Sequence, residues 1–180
     1  MQHKIVLIGG PGTGKSSILN EFIRREYQCM PEVSREVILN AQKQGIDQLF
    51  LEKPMLFSEL LLKGREEQYL EAEKSTSDVV FFDRGIPDVY AYMDYLGSDY
   101  PPIFKEKCNQ YLYTKVFMCA PWQEIYVSDN ERYETYEQSV KITTFLKKAY
   151  KEVGYDIIMI PFGTVEERCD FILDTIKNDV

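Results

Sequence analysis

Residues 9–16 read Gly9-Gly10-Pro11-Gly12-Thr13-Gly14-Lys15-Ser16, a match to GxxxxGKS, and they directly follow the apolar run Ile5-Val6-Leu7-Ile8. A Gly-rich loop between a buried strand and the helix it launches is where a phosphate-binding P-loop belongs. Its glycines let several backbone N–H groups turn inward on one anion, and the N-terminus of the following helix adds partial positive charge. The nucleotide cradle is therefore expected from Gly10, Pro11, Gly12, Thr13, Gly14, Lys15, Ser16 and Ser17. Lys15 reaches the β- and γ-phosphates and Ser16 offers its hydroxyl to Mg²⁺, so ATP and Mg²⁺ are the expected cofactors.

Working outward, residues 4–8 suit a central strand buried on both faces of a parallel sheet. Ile18, Leu19, Phe22 and Ile23 then follow helical spacing, and a short second strand at 28–30 ends at Pro31. Val33, Val37, Ile38 and Ala41 predict a helix that stops at Gly45. A long helix is expected over 54–75, with Leu56, Leu60, Leu61, Tyr69 and Leu70 on its apolar face. Residues 78–83, DVVFFD, read as the third strand; 115–119 and 156–160 read as the fourth and fifth. Helices are expected at 87–96, 103–112, 131–151 and 164–177. Strands alternating with helices predict an α/β sandwich. With no repeat or linker, residues 1–180 read as a single domain.

Composition narrows the function classes. A net charge of −8 and no basic stripe argue against nucleic acid as a partner. Cys29, Cys108, Cys119 and Cys169 form no CxxC pair and read as reduced core thiols, and one histidine, His3, is too few for a zinc site or a histidine triad. No apolar stretch approaches the ~20 residues of a membrane span, which predicts a cytoplasmic protein without a membrane partner.

A doubly wound sheet binds ligands at the carboxyl ends of its strands. Glu32, Asp83, Pro121 and Pro161 all fall there with the P-loop. Asp83 closes a strand of the hhhhD form and is expected to hold Mg²⁺ opposite Ser16, or else to cap the helix at 87. Arg84 follows where ATP-driven motors commonly place a water-activating Glu, so fast hydrolysis is not expected; its guanidinium is suited to gripping the acceptor or the transferred phosphoryl group. Glu32 is the candidate base that orients the acceptor hydroxyl, and Arg35, one turn on, is placed to touch the same substrate. Residues 121–132, PWQEIYVSDNER, read as a short lid in which Arg132 serves as an internal arginine finger. Trp122 and Tyr126 are candidates for stacking on a base.

Four stretches, GGPGTGKSS, PEVSRE, VVFFDRGIPDVYAY and the APW…SDNER lid, resemble the small P-loop kinase-like ATP-binding domains of the AAA-type ATPase grouping related to ribosylnicotinamide kinase and the deoxynucleoside kinases. The resemblance implies a three-layer P-loop NTPase fold with a five-stranded parallel sheet in the order 2-3-1-4-5. It also implies that Glu32 holds the place of the carboxylate that orients the acceptor hydroxyl, and that Asp83-Arg84 matches the acidic–Arg pair closing the third strand. Of the lid arginines such kinases carry, only Arg132 is found. The leading expectation is a Mg²⁺-dependent kinase moving the γ-phosphoryl group of ATP to a small, nucleoside-like hydroxyl acceptor. The alternative is a slow ATPase acting as a nucleotide-dependent switch or binding module. A monomer or homodimer is expected in either case.

Overall fold

The computed structural model describes residues 2–126 and 134–178. Five strands, β1 (His3–Ile8), β2 (Gln28–Met30), β3 (Val79–Asp83), β4 (Lys115–Cys119) and β5 (Ile157–Ile160), form one parallel sheet in the order β2-β3-β1-β4-β5. This is the order implied by the resemblance. Successive side chains of a strand point to opposite faces, so β1 divides its residues between two cores. Val6 and Ile8 join Val80, Phe82, Val116 and Met118 on one face; Ile5 and Leu7 join Phe81 and Phe117 on the other. All four β1 residues are fully buried, which is why the run reads as continuous rather than alternating.

The helices cover both faces. On one side α1 (Lys15–Arg24) and α8 (Val165–Lys177) pack together, with Phe22 stacked on Phe81 at 3.8 Å between ring centroids. On the other lie α2 (Val33–Lys43), α4 (Pro54–Lys74), α5 (Pro87–Leu96), α6 (Ile103–Gln110) and α7 (Tyr136–Val153). A one-turn helix, α3 (Leu49–Glu52), precedes α4 and was not expected, because four residues carry too little periodicity to read. Among the described residues, no helix is long and apolar enough to cross a membrane. The four cysteines are unpaired, and all but Cys29 are buried.

Two sequence expectations are corrected. The buried face of α4 is Ser58, Leu61, Leu62, Arg65, Tyr69 and Ala72, whereas Leu56, Leu60 and Leu70 are exposed. Leu61 and Tyr69 lie on the packed stripe as expected, and the other three leucines do not, because a buried arginine and two small residues hold positions there. Helix α7 starts at Tyr136 rather than 131, since the Thr135 hydroxyl accepts from the Gln138 N–H and the Gln138 side chain answers the Thr135 N–H in a capping box. The residues at 131–133 lie outside the described part of the chain.

Gly64, inside α4, sets how closely α2 approaches. A Cβ there would run into Val33 Cγ1 at the start of α2. Gly64→Ala is expected to lower stability by about 1–3 kcal/mol through overpacking, against a gain of about 1 kcal/mol in helix propensity, so the net loss is smaller than a plain overpacked core. Urea unfolding of the two proteins measures the balance. A stabilised variant would mean that α2 slides freely on α4.

Candidate functional site

The P-loop joins β1 to α1 in the conformation that its glycines permit. Gly12 and Gly14 have φ of 75° and 88°, in the left-handed region, and Gly14 is the N-cap of α1. The loop is held from outside by two helices. Arg168 of α8 donates Nη2 to the Thr13 carbonyl at 3.1 Å, and Ser139 of α7 donates its hydroxyl to the Pro11 carbonyl at 2.9 Å. Inside it, Thr13 Oγ1 donates to the Gly10 carbonyl at 2.8 Å. Ser16 and Ser17 are exposed.

Lys15 is buried and folds back over the loop, donating Nζ to the carbonyls of Gly9 at 2.9 Å and Gly10 at 3.1 Å. Burial, then the Arg84 guanidinium, push its pKa down to about 8, with Asp83 pulling the other way. A bound polyphosphate restores the charge, so binding takes up a proton above that pH. ATP affinity is expected to be level below pH 8 and to fall toward about tenfold per unit above it. In the free protein the sign is opposite: the unfolded chain holds this proton up to about 10.5, so Lys15 makes stability rise between about 8 and 10.5. Calorimetric titration of ATP from pH 7 to 9.5, with Lys15→Arg as a variant that stays charged, checks the first statement. An equal slope in both proteins would remove Lys15 as its source.

Asp83 ends β3, buried, and its Oδ1 has no hydrogen-bond partner among the described residues. Burial raises its pKa, while Lys15 lowers it. It does not cap α5, whose N-cap is Ile86 without a side-chain bond, so the capping alternative falls. A buried, unanswered carboxylate oxygen at a strand end beside a P-loop fits a cation, and it and the exposed Ser16 hydroxyl are oxygen donors of the kind Mg²⁺ takes.

Arg84 and Glu32 do meet. Arg84 Nε donates to Glu32 Oε2 at 2.6 Å; its Nη1 lies 3.4 Å from the Gly9 carbonyl of the P-loop and 3.3 Å from Asp88 Oδ1. The guanidinium also stands 5.2 Å over the ring of Tyr92. Glu32 is the N-cap of α2, accepting from the Ser34 N–H at 3.2 Å, and is gripped a second time by Arg65 Nη2 at 3.2 Å. Burial alone would raise its pKa, but Arg84 and Arg65 more than reverse that and hold it at about 2. The carboxylate is thus kept charged.

Arg35 does not join this group. It is exposed on the first turn of α2 and makes no ion pair among the described residues, because α2 turns that position to solvent while Val33 packs inward. Arg132 lies outside the described residues. Trp122 packs against Phe162, from the turn after β5, at 4.7 Å between centroids, and Arg168 reaches under the same indole at 5.9 Å. Tyr126 turns instead to the start of α7, with its ring edge-on to Tyr136 and its hydroxyl donating to the Glu134 carbonyl.

Sequence reasoning missed Arg65, Asp88, Phe162 and Arg168. For Arg65 a signal existed, since it falls four residues after Leu61 and four before Tyr69 on a buried stripe. Asp88 reads as an ordinary first-turn acid. Phe162 and Arg168 reach the P-loop side only because β5 lies next to β4.

An AAA domain family model matches residues 4–168. A search among curated proteins finds no match. Among solved structures, the chain is similar to deoxyadenosine kinase from M. mycoides with products dCMP and dCDP bound, with a TM-score of 0.72 and 16% identity over 97% of this chain and 99% of that one. It is similar to NadR protein in complex with NR at a TM-score of 0.74 and 16% identity, over 98% of this chain and 49% of that one. It is also similar to thymidylate kinase from Candida albicans, at a TM-score of 0.68 and 14% identity over 99% of this chain and 92% of that one. At these identities the likeness is one of fold.

Proposed function

The chain belongs to the AAA domain family and has a P-loop kinase-like fold, and from that premise we propose that it transfers the γ-phosphoryl group of ATP, with Mg²⁺, to the hydroxyl of a small nucleoside-like acceptor. One observation carries this reading: the Arg84–Glu32 pair, closed at 2.6 Å, stands against the P-loop through the contact of Arg84 with the Gly9 carbonyl. A kinase needs a carboxylate to orient the acceptor hydroxyl beside the γ-phosphate, and a guanidinium next to it is suited to gripping the transferred group.

The residues divide the work. The loop N–H groups and Lys15 bind the triphosphate, and Lys15 neutralises charge on the oxygens that gain it. Asp83 and Ser16 would hold Mg²⁺, which would supply screening of the phosphate charge. Glu32 accepts a hydrogen bond from the acceptor hydroxyl and aims its oxygen at phosphorus. The O–P bond to the acceptor forms as the bond to ADP breaks, and the hydroxyl proton leaves toward Glu32. With its pKa held near 2, Glu32 chiefly orients the hydroxyl and takes its proton late, once bonding to phosphorus has made that hydroxyl acidic. Arg84 steadies Glu32 and faces the transferred group. The Trp122–Phe162 pair offers an aromatic surface for the nucleobase, with Phe162 57% exposed.

The test is ADP release from ATP and Mg²⁺ with a panel of nucleosides, ribosylnicotinamide and nucleoside monophosphates, against Lys15→Ala as the blank. Release that depends on a nucleoside-like acceptor is the expected result. Tight ATP binding with only slow, acceptor-independent hydrolysis would overturn it in favour of a nucleotide-dependent switch.

A further inference from the structure

Asp88 is a carboxylate that nothing in this chemistry uses, yet it is 1% exposed. A first-turn acid of a helix ordinarily sits in water. Here each oxygen has a separate duty. Oδ2 accepts from the Gly85 N–H at 3.0 Å and from the Tyr150 hydroxyl at 2.5 Å, and Oδ1 faces Arg84 Nη1 at 3.3 Å. Tyr150 is a fully buried residue of α7, and burial keeps its phenol far above the usual range, so the hydroxyl remains a donor.

The turn under these bonds is strained. Arg84 is a non-glycine residue at φ 70°, a conformation that persists only where the surroundings over-determine it. Arg84 N–H donates to Leu7 O at 3.0 Å, Gly85 N–H to Asp88, and Ile86 N–H to the Tyr113 hydroxyl at 3.2 Å. Gly85 admits no side chain, since a Cβ would lie 2.5 Å from the Tyr150 hydroxyl. The helix that brings Tyr150 is also the one whose Ser139 holds the P-loop at Pro11. Helix α7 therefore spans the donor loop and the acceptor turn.

We propose that Asp88 and Tyr150 are positioning residues for the transfer: together they hold the Arg84 turn, and through it the guanidinium that grips Glu32, at its working distance from the P-loop. The inference deepens the kinase reading, and its kinetic arm rests on that reading.

Tyr150→Phe removes the hydroxyl and keeps the ring; Asp88→Asn keeps the size and serves should the first variant not fold. Two readouts on the full chain decide. By NMR, solvent exchange of the Arg84 Nε–H is expected to quicken by about tenfold or more, while that of Arg25 Nε–H, held by Glu21 at 2.7 Å, does not change and reports intact folding. In turnover, kcat is expected to fall by about tenfold with the ATP KM within about twofold, and the effect should vanish in an Arg84→Ala background. Unchanged Arg84 protection in both variants overturns the proposal, as does a kcat loss fully additive with Arg84→Ala. Should the wild-type chain phosphorylate no acceptor, the kinase reading falls by itself, and the exchange ratio of Arg84 to Arg25 still decides the positioning role.

Discussion

Lys15→Ala is expected to reduce phosphoryl transfer by about 100- to 1,000-fold or more, because it removes a charge-bearing donor aimed at oxygens that gain charge in the transition state. In the free protein Lys15 Nζ occupies the mouth of the loop through the Gly9 and Gly10 carbonyls. Those carbonyls belong to the loop itself, so alanine leaves two acceptors without the ammonium between them. ATP affinity is therefore expected to drop as well. Folding is not, since burial already disfavours the lysine charge and lowers its pKa to about 8. Steady-state turnover, ATP titration and thermal unfolding of the one variant separate these effects. A variant with wild-type turnover would place the nucleotide elsewhere.

Glu32→Gln carries the second large effect, and it acts on two quantities at once. On the proposed function, losing this carboxylate is expected to lower kcat by about 100- to 10,000-fold with ATP affinity kept. It also leaves Arg84 and Arg65 facing a neutral amide where each had its own carboxylate oxygen. Arg65 and Arg84 are 4% and 14% exposed at the side chain, so solvent compensates little. Breaking a buried pair from one side costs roughly 3–5 kcal/mol, and the retained amide oxygen places this change toward the lower end. A fall in Tm of roughly 6–12 °C corresponds to about 3 kcal/mol in a domain of this size. Differential scanning calorimetry reads the stability and the acceptor panel reads the transfer. Unchanged turnover would remove Glu32 from the chemistry; unchanged Tm would mean that Asp88 and the Gly9 and Gly85 carbonyls suffice for the two guanidinium groups.

Glu32 also shows where reading a sequence stops. Its place after the second strand was legible, and so was its facing the P-loop edge, because both follow from strand ends in a parallel sheet. Its ionisation was not. That depends on Arg65, which lies 33 residues away on α4, and on the left-handed turn at Arg84 that swings the guanidinium back toward α2. The same holds for the α4 stripe, where Leu61 and Tyr69 pack inward as expected but Leu56, Leu60 and Leu70 turn outward, their places in the packing taken by Ser58, Arg65 and Ala72.

The sequence alone determined the P-loop, the strand-and-helix alternation and the strand-end carboxylates, because each is a local matter of backbone freedom, side-chain period and apolar run length. Asp83-Arg84 and Glu32 could be named as neighbours of the P-loop on that basis. The tertiary structure decided what faces what. Ser139, Arg168 and Tyr150 lie 124 or more residues after the P-loop lysine, and they reach the P-loop or the Arg84 turn only once β4 has paired with β1 and β5 with β4. Charges and hydroxyls far apart in the chain meet across the sheet by long-range packing, and no periodicity in the sequence encodes those distances.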